Sequence, residues 1–219
     1  MQFPAAVVFD LDGTLIESEN VWDEVRRGLA AKAGLPWPEV STQAMMGMST
    51  QEWGTHLVEV VGLSGTWQNA ATATIDGMVD SYRHGLPALP GAAEAVRRVA
   101  AELPVGIASS SPRRLIDLVC QELGVAELLR ASVSTEEVGR GKPWPDGYLR
   151  AAELLGVPAD QCVAVEDSGA GVRSALAAQM AVVVVPPAFH PPTQDLLDQC
   201  DAVISSLDEL TLDLLRSLR

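Results

Sequence analysis

Lysine is nearly missing from this chain. Among 219 residues it occurs only as Lys32 and Lys142, and 15 Lys and Arg face 29 Asp and Glu, giving a formal net charge of −14. Such a balance offers no basic footprint for nucleic acid, so nucleic-acid binding is excluded as a function class. An anionic small molecule would also meet an unfavourable long-range field, but physiological salt screens that field within about 8 Å, so one local cation can dominate at a site. Cysteine is scarce and odd in number. Cys120, Cys162 and Cys200 stand far apart among apolar neighbours and read as buried reduced thiols, not as a disulfide or metal site. His56, His84 and His190 form no ligand pattern such as His-Glu-x-x-His and receive no catalytic role; His190 falls in a proline-rich loop that could border a site. No apolar run spans a bilayer, since the richest, 180–185, stops at Pro186 and Pro187. The N-terminus enters a strand at once, leaving no room for a signal peptide, so a cytoplasmic protein without membrane contact is expected. With 47% hydrophobic residues, the chain suits a soluble globular protein with a full core and a smaller inserted domain.

What is present is concentrated in Val7-Val8-Phe9-Asp10-Leu11-Asp12-Gly13-Thr14-Leu15. An apolar strand ends in two carboxylates one residue apart, followed by glycine. Strand side chains alternate between faces, so Asp10 and Asp12 are expected on the same side. Two such acids repel each other unless a cation or a proton transfer needs them there. A calcium loop is a weaker reading, because Val8 stands where that loop needs another acid.

After Leu15 the apolar spacing becomes helical. Val21, Val25 and Leu29 form one stripe, Trp53, Leu57, Val60 and Val61 a second, and Ile75, Met78, Val79 and Tyr82 a third. The stretch Met45 to Thr50 reads as a turn entering a helix. From Pro90-Gly91 onward, short apolar strands alternate with helices. Strands are expected at Val105 to Ala108, near Ala131 to Ser134, at Cys162 to Val165, at Ala181 to Val185 and near Ala202 to Ile204. Helices are expected at Gly91 to Leu103, Pro112 to Leu123, Pro145 to Leu155, Gly169 to Ala178 and Leu207 to Leu218. That rhythm predicts an α/β fold, a doubly wound parallel sheet covered on both faces, interrupted after the first strand by an all-α segment.

In open α/β sheets ligands bind beyond the carboxyl ends of the strands. Four polar clusters fall at such ends: Asp10 and Asp12, then Ser109-Ser110-Ser111, Lys142, and Glu166-Asp167-Ser168. Singly, each has a plain alternative. The serines could cap the helix opening at Pro112, Lys142 could be a solvated loop residue, and the acids could favour the next helix dipole. A dinucleotide turn at Gly169-Ala170-Gly171 lacks its third glycine, which is Ser174. Together the clusters suit phosphoryl transfer. Carboxylate oxygens favour a hard cation such as Mg²⁺, while a hydroxyl, helix-start amides and one lysine suit phosphate oxygens.

These clusters, in this order, resemble those of the haloacid dehalogenase superfamily of aspartyl phosphatases, over essentially the whole chain. Asp10-Leu11-Asp12-Gly13-Thr14-Leu15 is similar to its first motif, Ser109 to its second, Lys142 to its third and Glu166-Asp167-Ser168 to its fourth. The helical segment resembles the cap of the β-phosphoglucomutase-like branch. The resemblance implies a Rossmann-like core at 1–16 and 87–219 with a central first strand, and a cap domain at 17–86. It also implies Asp10 as nucleophile and Asp12 as acid/base. Ser109, Ser110 and Lys142 would bind the phosphate. Mg²⁺ would be held by Asp10, the main-chain oxygen of Asp12, Glu166 and Asp167.

Within that superfamily the residues favour a phosphatase of a small sugar or polyol phosphate. Asp12 argues against a dehalogenase. The one cap lysine, Lys32, is misplaced for a Schiff-base phosphonate hydrolase. A sugar-phosphate mutase is the main rival, yet its cap histidine and arginine align with Trp22 and Thr50, and Thr14 matches phosphatases. A phosphoglycolate phosphatase and a non-catalytic phosphosugar-binding protein are further alternatives. Ser18, Trp22, Gly47, Met48 and Thr50 are the cap residues expected to face the leaving group. Their uncharged character suits a sugar or polyol better than a second anionic group. The partner expected is a small phosphorylated metabolite, and the chain is expected as a monomer or weak homodimer.

Overall fold

A computed structural model describes residues 4–188 and 191–218; His190 lies outside them. The first strand, β1 (Ala6–Phe9), is fully buried. Helices α1 (Glu19–Lys32), α2 (Val40–Ala44), α3 (Thr50–Glu59) and α4 (Trp67–His84) follow. Next come α5 (Ala92–Ala100), β2 (Val105–Ser109), α6 (Arg113–Glu122), β3 (Leu129–Ser134), α7 (Asp146–Leu155) and β4 (Cys162–Glu166). The chain ends with α8 (Gly169–Ala177), β5 (Ala181–Val184), α9 (Gln194–Leu197), β6 (Ala202–Val203) and α10 (Leu212–Ser217). Two compact units result: Met1–Glu17 with Pro87–Arg219, and Ser18–Leu86.

The larger unit is a six-stranded parallel sheet in the order β3-β2-β1-β4-β5-β6. This is the 3-2-1-4-5-6 order of the Rossmann fold, with its reversal point at β1. Strand parity sorts the residues. Ala6, Val8, Ala108, Val133, Ala164 and Val182 share a core cluster with Tyr148, Ala151 and Ala152 of α7 and Val172 and Ala175 of α8. By the same alternation Asp10 and Glu166, two residues beyond Val8 and Ala164, belong on the α7 side. On α5, Ala92, Ala95, Val96 and Val99 are buried, an i, i+3, i+4, i+7 stripe. One sequence expectation fails at the C-terminus. Leu207 to Leu218 is not one helix: a 3₁₀ turn at Leu207–Glu209 ends, and α10 restarts under Thr211, whose hydroxyl accepts from the Leu214 amide. A free capping hydroxyl makes that restart favourable.

Chain exit and re-entry are paired. Glu17 N–H donates to Pro87 O at 2.8 Å, and Leu89 N–H donates to Leu15 O at 2.9 Å.

The smaller unit is helical throughout its described elements, with a core of Ala30, Met45, Trp53, Leu57, Val61, Ala70 and Ala71. Gly77 lets α4 meet α1, because a Cβ there would stand 2.6 Å from Val25 Cγ1. The turn at Met45 to Thr50 does enter a helix. Ser49 and Glu52 form a reciprocal capping box at the start of α3. The buried face of α1 differs from the expected one: Arg26 and Ala30 are its buried residues.

Candidate active site

Register brings the polar clusters together. Phe9 pairs with Ile107 on one side and Val165 on the other. Asp10 N–H donates to Val165 O at 2.9 Å, so Asp10 leaves the sheet between the ends of β2 and β4. Ser109 and Glu166 are the last residues of those two strands. Lys142, from the loop before α7, forms a charged hydrogen bond with Asp10 Oδ1 and donates to Glu166 Oε1 at 2.6 Å. Both ends of this bridge are buried.

Glu166 is fully buried and heavily bonded. Its Oε1 also accepts from Tyr148 OH at 2.9 Å, and its Oε2 accepts from the Asp167 and Ser168 amides at 3.0 and 3.2 Å. Gly171 makes this possible. A Cβ there would sit 1.7 Å from Glu166 Oε1. Gly13 plays the same part for Asp167: its φ is +84°, and a Cβ would fall 2.0 Å from Asp167 Oδ2.

Asp12 has different partners from Asp10. Its Oδ2 accepts from Ser109 Oγ at 3.1 Å and Ser111 Oγ at 2.7 Å. Ser111 N–H donates to Ser109 Oγ at 2.9 Å, and Ser134 Oγ holds the Ser111 carbonyl at 2.7 Å. The serines therefore do not cap α6, whose N-cap is Pro112 without a side-chain bond. Ser110 is exposed; Ser111 supplies the second hydroxyl at Asp12. Ser111 and Tyr148 are the site residues that sequence reasoning passed over. The serine run was visible as a cluster, but loop parity could not say which hydroxyl turns inward. Tyr148 was hidden in an apolar helical stripe.

One oxygen each from Asp10, Glu166 and Asp167 lie within 4.8 Å of one another. Three buried acids face one lysine, which leaves a formal surplus of two negative charges. The consequence appears in their ionisation. Burial raises Asp10 to about 7, with Lys142 partly offsetting the effect of burial and of the neighbouring acids Glu166 and Asp12. Burial, with Asp10 and Glu166 adding to it, pushes Asp167 to about 9. Burial also opposes the charge on Lys142, but Asp10 and Glu166 outweigh it and hold the ammonium above the ordinary lysine value. For Glu166, burial is outweighed by Lys142, so its carboxyl lies below the ordinary value. Asp167 Oδ1, Asp12 Oδ1 and Thr14 Oγ1 are buried without hydrogen-bond partners. An all-oxygen donor set, a surplus of two negative charges and orphaned carboxylate oxygens fit a hard divalent cation.

In the smaller unit, Ser18 is buried, Trp22 and Met48 pack on the helical core, Gly47 has a left-handed φ of +74°, and Thr50 is half-buried.

A parallel sheet with this strand order, carrying acids, hydroxyls and a lysine at its central carboxyl ends, defines a Rossmann-like α/β enzyme core. A family model described as haloacid dehalogenase-like hydrolase matches residues 4–179, and the chain belongs to that family. It is similar to hexitol phosphatase B of Escherichia coli strain K12, 33% identical over 215 residues, covering 94% of each chain. It is 30% identical over 211 residues to the bifunctional riboflavin kinase/FMN phosphatase of Arabidopsis thaliana, covering 95% of this chain and spanning 55% of that protein's length. Among solved structures, CbbY from Rhodobacter sphaeroides in complex with phosphate superposes with a TM-score of 0.83 at 22% identity, covering 96% and 98% of the two chains. That likeness is one of fold. No described helix is long and apolar enough to cross a membrane.

Proposed function

We propose that the protein is a Mg²⁺-dependent phosphatase that hydrolyses a small sugar or polyol phosphate through an aspartyl-phosphate on Asp10. The observation that carries this reading is the division of labour between the two aspartates. Asp10 is tied to Lys142 beside Glu166 and Asp167, whereas Asp12 is tied to Ser109 and Ser111. The 33% identity to a hexitol phosphatase along nearly the whole chain supports the substrate class.

Asp10, Glu166 and Asp167, with the main-chain oxygen of Asp12, would hold Mg²⁺, which when bound neutralises charge on the acids and the phosphoryl group. Asp10 attacks phosphorus with one carboxylate oxygen. Lys142 fixes the other oxygen and offsets negative charge as the phosphoryl group approaches. The P–O bond to the leaving alcohol breaks, and Asp12 gives that oxygen a proton. Hydroxyls of Ser109 and Ser111 anchor Asp12 Oδ2, which leaves Oδ1, the unpartnered atom, to carry the proton. Asp12 then takes a proton from water as that water attacks phosphorus, releasing phosphate and restoring Asp10. Lys142 also serves the phosphoryl oxygens; the Ser109 hydroxyl, expected there from the sequence, is given to Asp12, and Ser110 is exposed. The cap residues Ser18, Trp22, Gly47, Met48 and Thr50 serve substrate choice.

Phosphate monoesters need up to ~10²¹-fold acceleration, so positioning and charge neutralisation have a large effect to supply. Hydrolysis of p-nitrophenyl phosphate with Mg²⁺ tests the reading. Asp10→Asn is expected to lose roughly 10³-fold or more, and beryllium or aluminium fluoride to inhibit. Activity that survives Asp10→Asn would refute it.

A further inference from the structure

No step of that mechanism uses Ser134. It is the last residue of β3, pairs in register with Ser109 and is fully buried. Its hydroxyl donates to the Ser111 carbonyl at 2.7 Å and accepts from the Glu136 amide at 3.3 Å. A carbonyl only accepts and an amide N–H only donates, so the direction of both bonds is fixed. Glu137 braces the same residue, its Oε2 accepting from the Ser134 amide at 3.2 Å. Arg113 of α6 grips Glu137 with Nε at 2.8 Å and Nη2 at 2.6 Å. The same guanidinium reaches β3 through the Ser132 hydroxyl at 2.6 Å and the Ser132 carbonyl at 2.8 Å. Such a two-pronged charged pair adds geometric precision as well as strength.

This run of bonds ends on Asp12. Ser111 lies in the loop between β2 and α6, outside any strand or helix, and three partners orient it. Its N–H donates to Ser109 Oγ at 2.9 Å, its carbonyl accepts from Ser134, and its hydroxyl donates to Asp12 Oδ2 at 2.7 Å. That last bond is the shorter of the two hydroxyl bonds at Asp12, the one from Ser109 being 3.1 Å. Pro112 follows and restricts the Ser111 backbone to extended conformations. A buried carbonyl that loses a donor turns toward another, and the Ser111 hydroxyl would leave its line to Asp12 with it.

We infer that Ser134, braced by Glu137 and Arg113, is a positioning residue for Asp12, acting through the backbone of Ser111. The inference rests on the phosphatase reading, in which Asp12 gives its proton from Oδ1, and adds to it what aims that atom. The direction of Oδ1 follows from what holds Oδ2. A carboxyl turned off the leaving oxygen is a poorer acid even when Asp10, Lys142, Glu166 and Asp167 stay in place. Such a defect has a chemical signature. An alkoxide needs the proton as it leaves, whereas p-nitrophenolate departs as a stabilised anion and hardly needs it.

The test uses the full chain with Mg²⁺ and compares kcat/KM on p-nitrophenyl phosphate, phenyl phosphate and sorbitol 6-phosphate. That parameter reports the step that expels the leaving group. In Ser134→Ala it is expected to fall about 10- to 30-fold on phenyl phosphate and sorbitol 6-phosphate, a part of the roughly 10²–10⁴-fold that a positioned acid contributes. On p-nitrophenyl phosphate the fall is expected to stay under about threefold. Glu137→Ala, a change at an exposed side chain, should alter the ratio in the same direction by a smaller factor. An equal fall on all three compounds in Ser134→Ala, folded by circular dichroism, overturns the inference, because the serine would then only support the fold. So does no fall at all. If Ser134→Ala does not fold, Glu137→Ala decides, and an unchanged ratio there overturns the inference. A wild type inactive on all three compounds would instead overturn the phosphatase reading.

Discussion

Replacing Lys142 with methionine removes the one positive charge that, among the described residues, pairs with the acid cluster. Its ammonium bonds to Asp10 and, at 2.6 Å, to Glu166, and both acids are buried. Methionine fills much of the same volume, so packing changes little and charge changes by one unit. Removing one partner of a buried ion pair costs about 3–5 kcal/mol, because the remaining charge loses its compensation. Here two carboxylates lose it together, and protonation of Asp10, already raised to about 7, limits the damage near neutral pH. The expected loss is therefore about 3 kcal/mol at pH 7.5 and less at pH 5.5. Urea unfolding of wild type and Lys142→Met in EDTA at both pH values measures it. In the same variant kcat should fall roughly 10²–10³-fold, the scale of losing one electrostatic stabiliser. A metal-free variant as stable as the wild type at pH 7.5 would refute the reasoning, since Lys142 would then not be compensating these acids.

Other expectations follow from the same contacts. Gly171→Ala places a Cβ 1.7 Å from Glu166 Oε1, so the carboxylate must move and release Lys142; phosphatase activity should drop at least about tenfold while the fold persists by circular dichroism. Tyr148→Phe deletes the hydroxyl that donates to Glu166 at 2.9 Å; a stability loss of about 1 kcal/mol and a several-fold fall in kcat are expected, read by denaturation and steady-state assays. The pH dependence has a definite sign. Asp10 and Asp167 are raised from 3.8 to about 7 and about 9, so the folded metal-free protein binds more protons than the unfolded chain between those values. Stability should then fall as pH rises from about 4, by up to ~1.4 kcal/mol per pH unit for each group, levelling off above the folded values. Calorimetry in EDTA at pH 5 and pH 8 checks this. Mg²⁺ affinity should rise over the same window as protons are displaced.

Much of the core was legible because buried parallel strands are short apolar runs whose polar successors mark the sheet's carboxyl edge. Asp10, Ser109 and Glu166 could be placed at strand ends along one sheet edge on that ground alone; that those strands are neighbours is given by the register. What the sequence concealed depends on packing from outside the element concerned. Tyr148 belongs to an apolar stripe of α7, and nothing local says that its hydroxyl meets Glu166. In α1 the recurrence of Val21, Val25 and Leu29 suggested the inward face; Val25 does meet Gly77 of α4 and all three are half-buried, but Arg26, beside Trp53 of α3, is buried more completely. At the C-terminus, leucine spacing suggested one helix across Leu210 and Thr211. The Thr211 hydroxyl bonding forward to Leu214 is a local device that periodicity does not register.

The central claim is that Asp10 carries the phosphoryl group during turnover. Acid quench of the enzyme with substrate and Mg²⁺, borohydride reduction and peptide mass spectrometry test it directly. The account predicts reduction of residue 10 to homoserine, dependent on substrate and absent from Asp12 and Asp167. Turnover with an unmodified Asp10, or a phosphoryl group trapped on another residue, would contradict it.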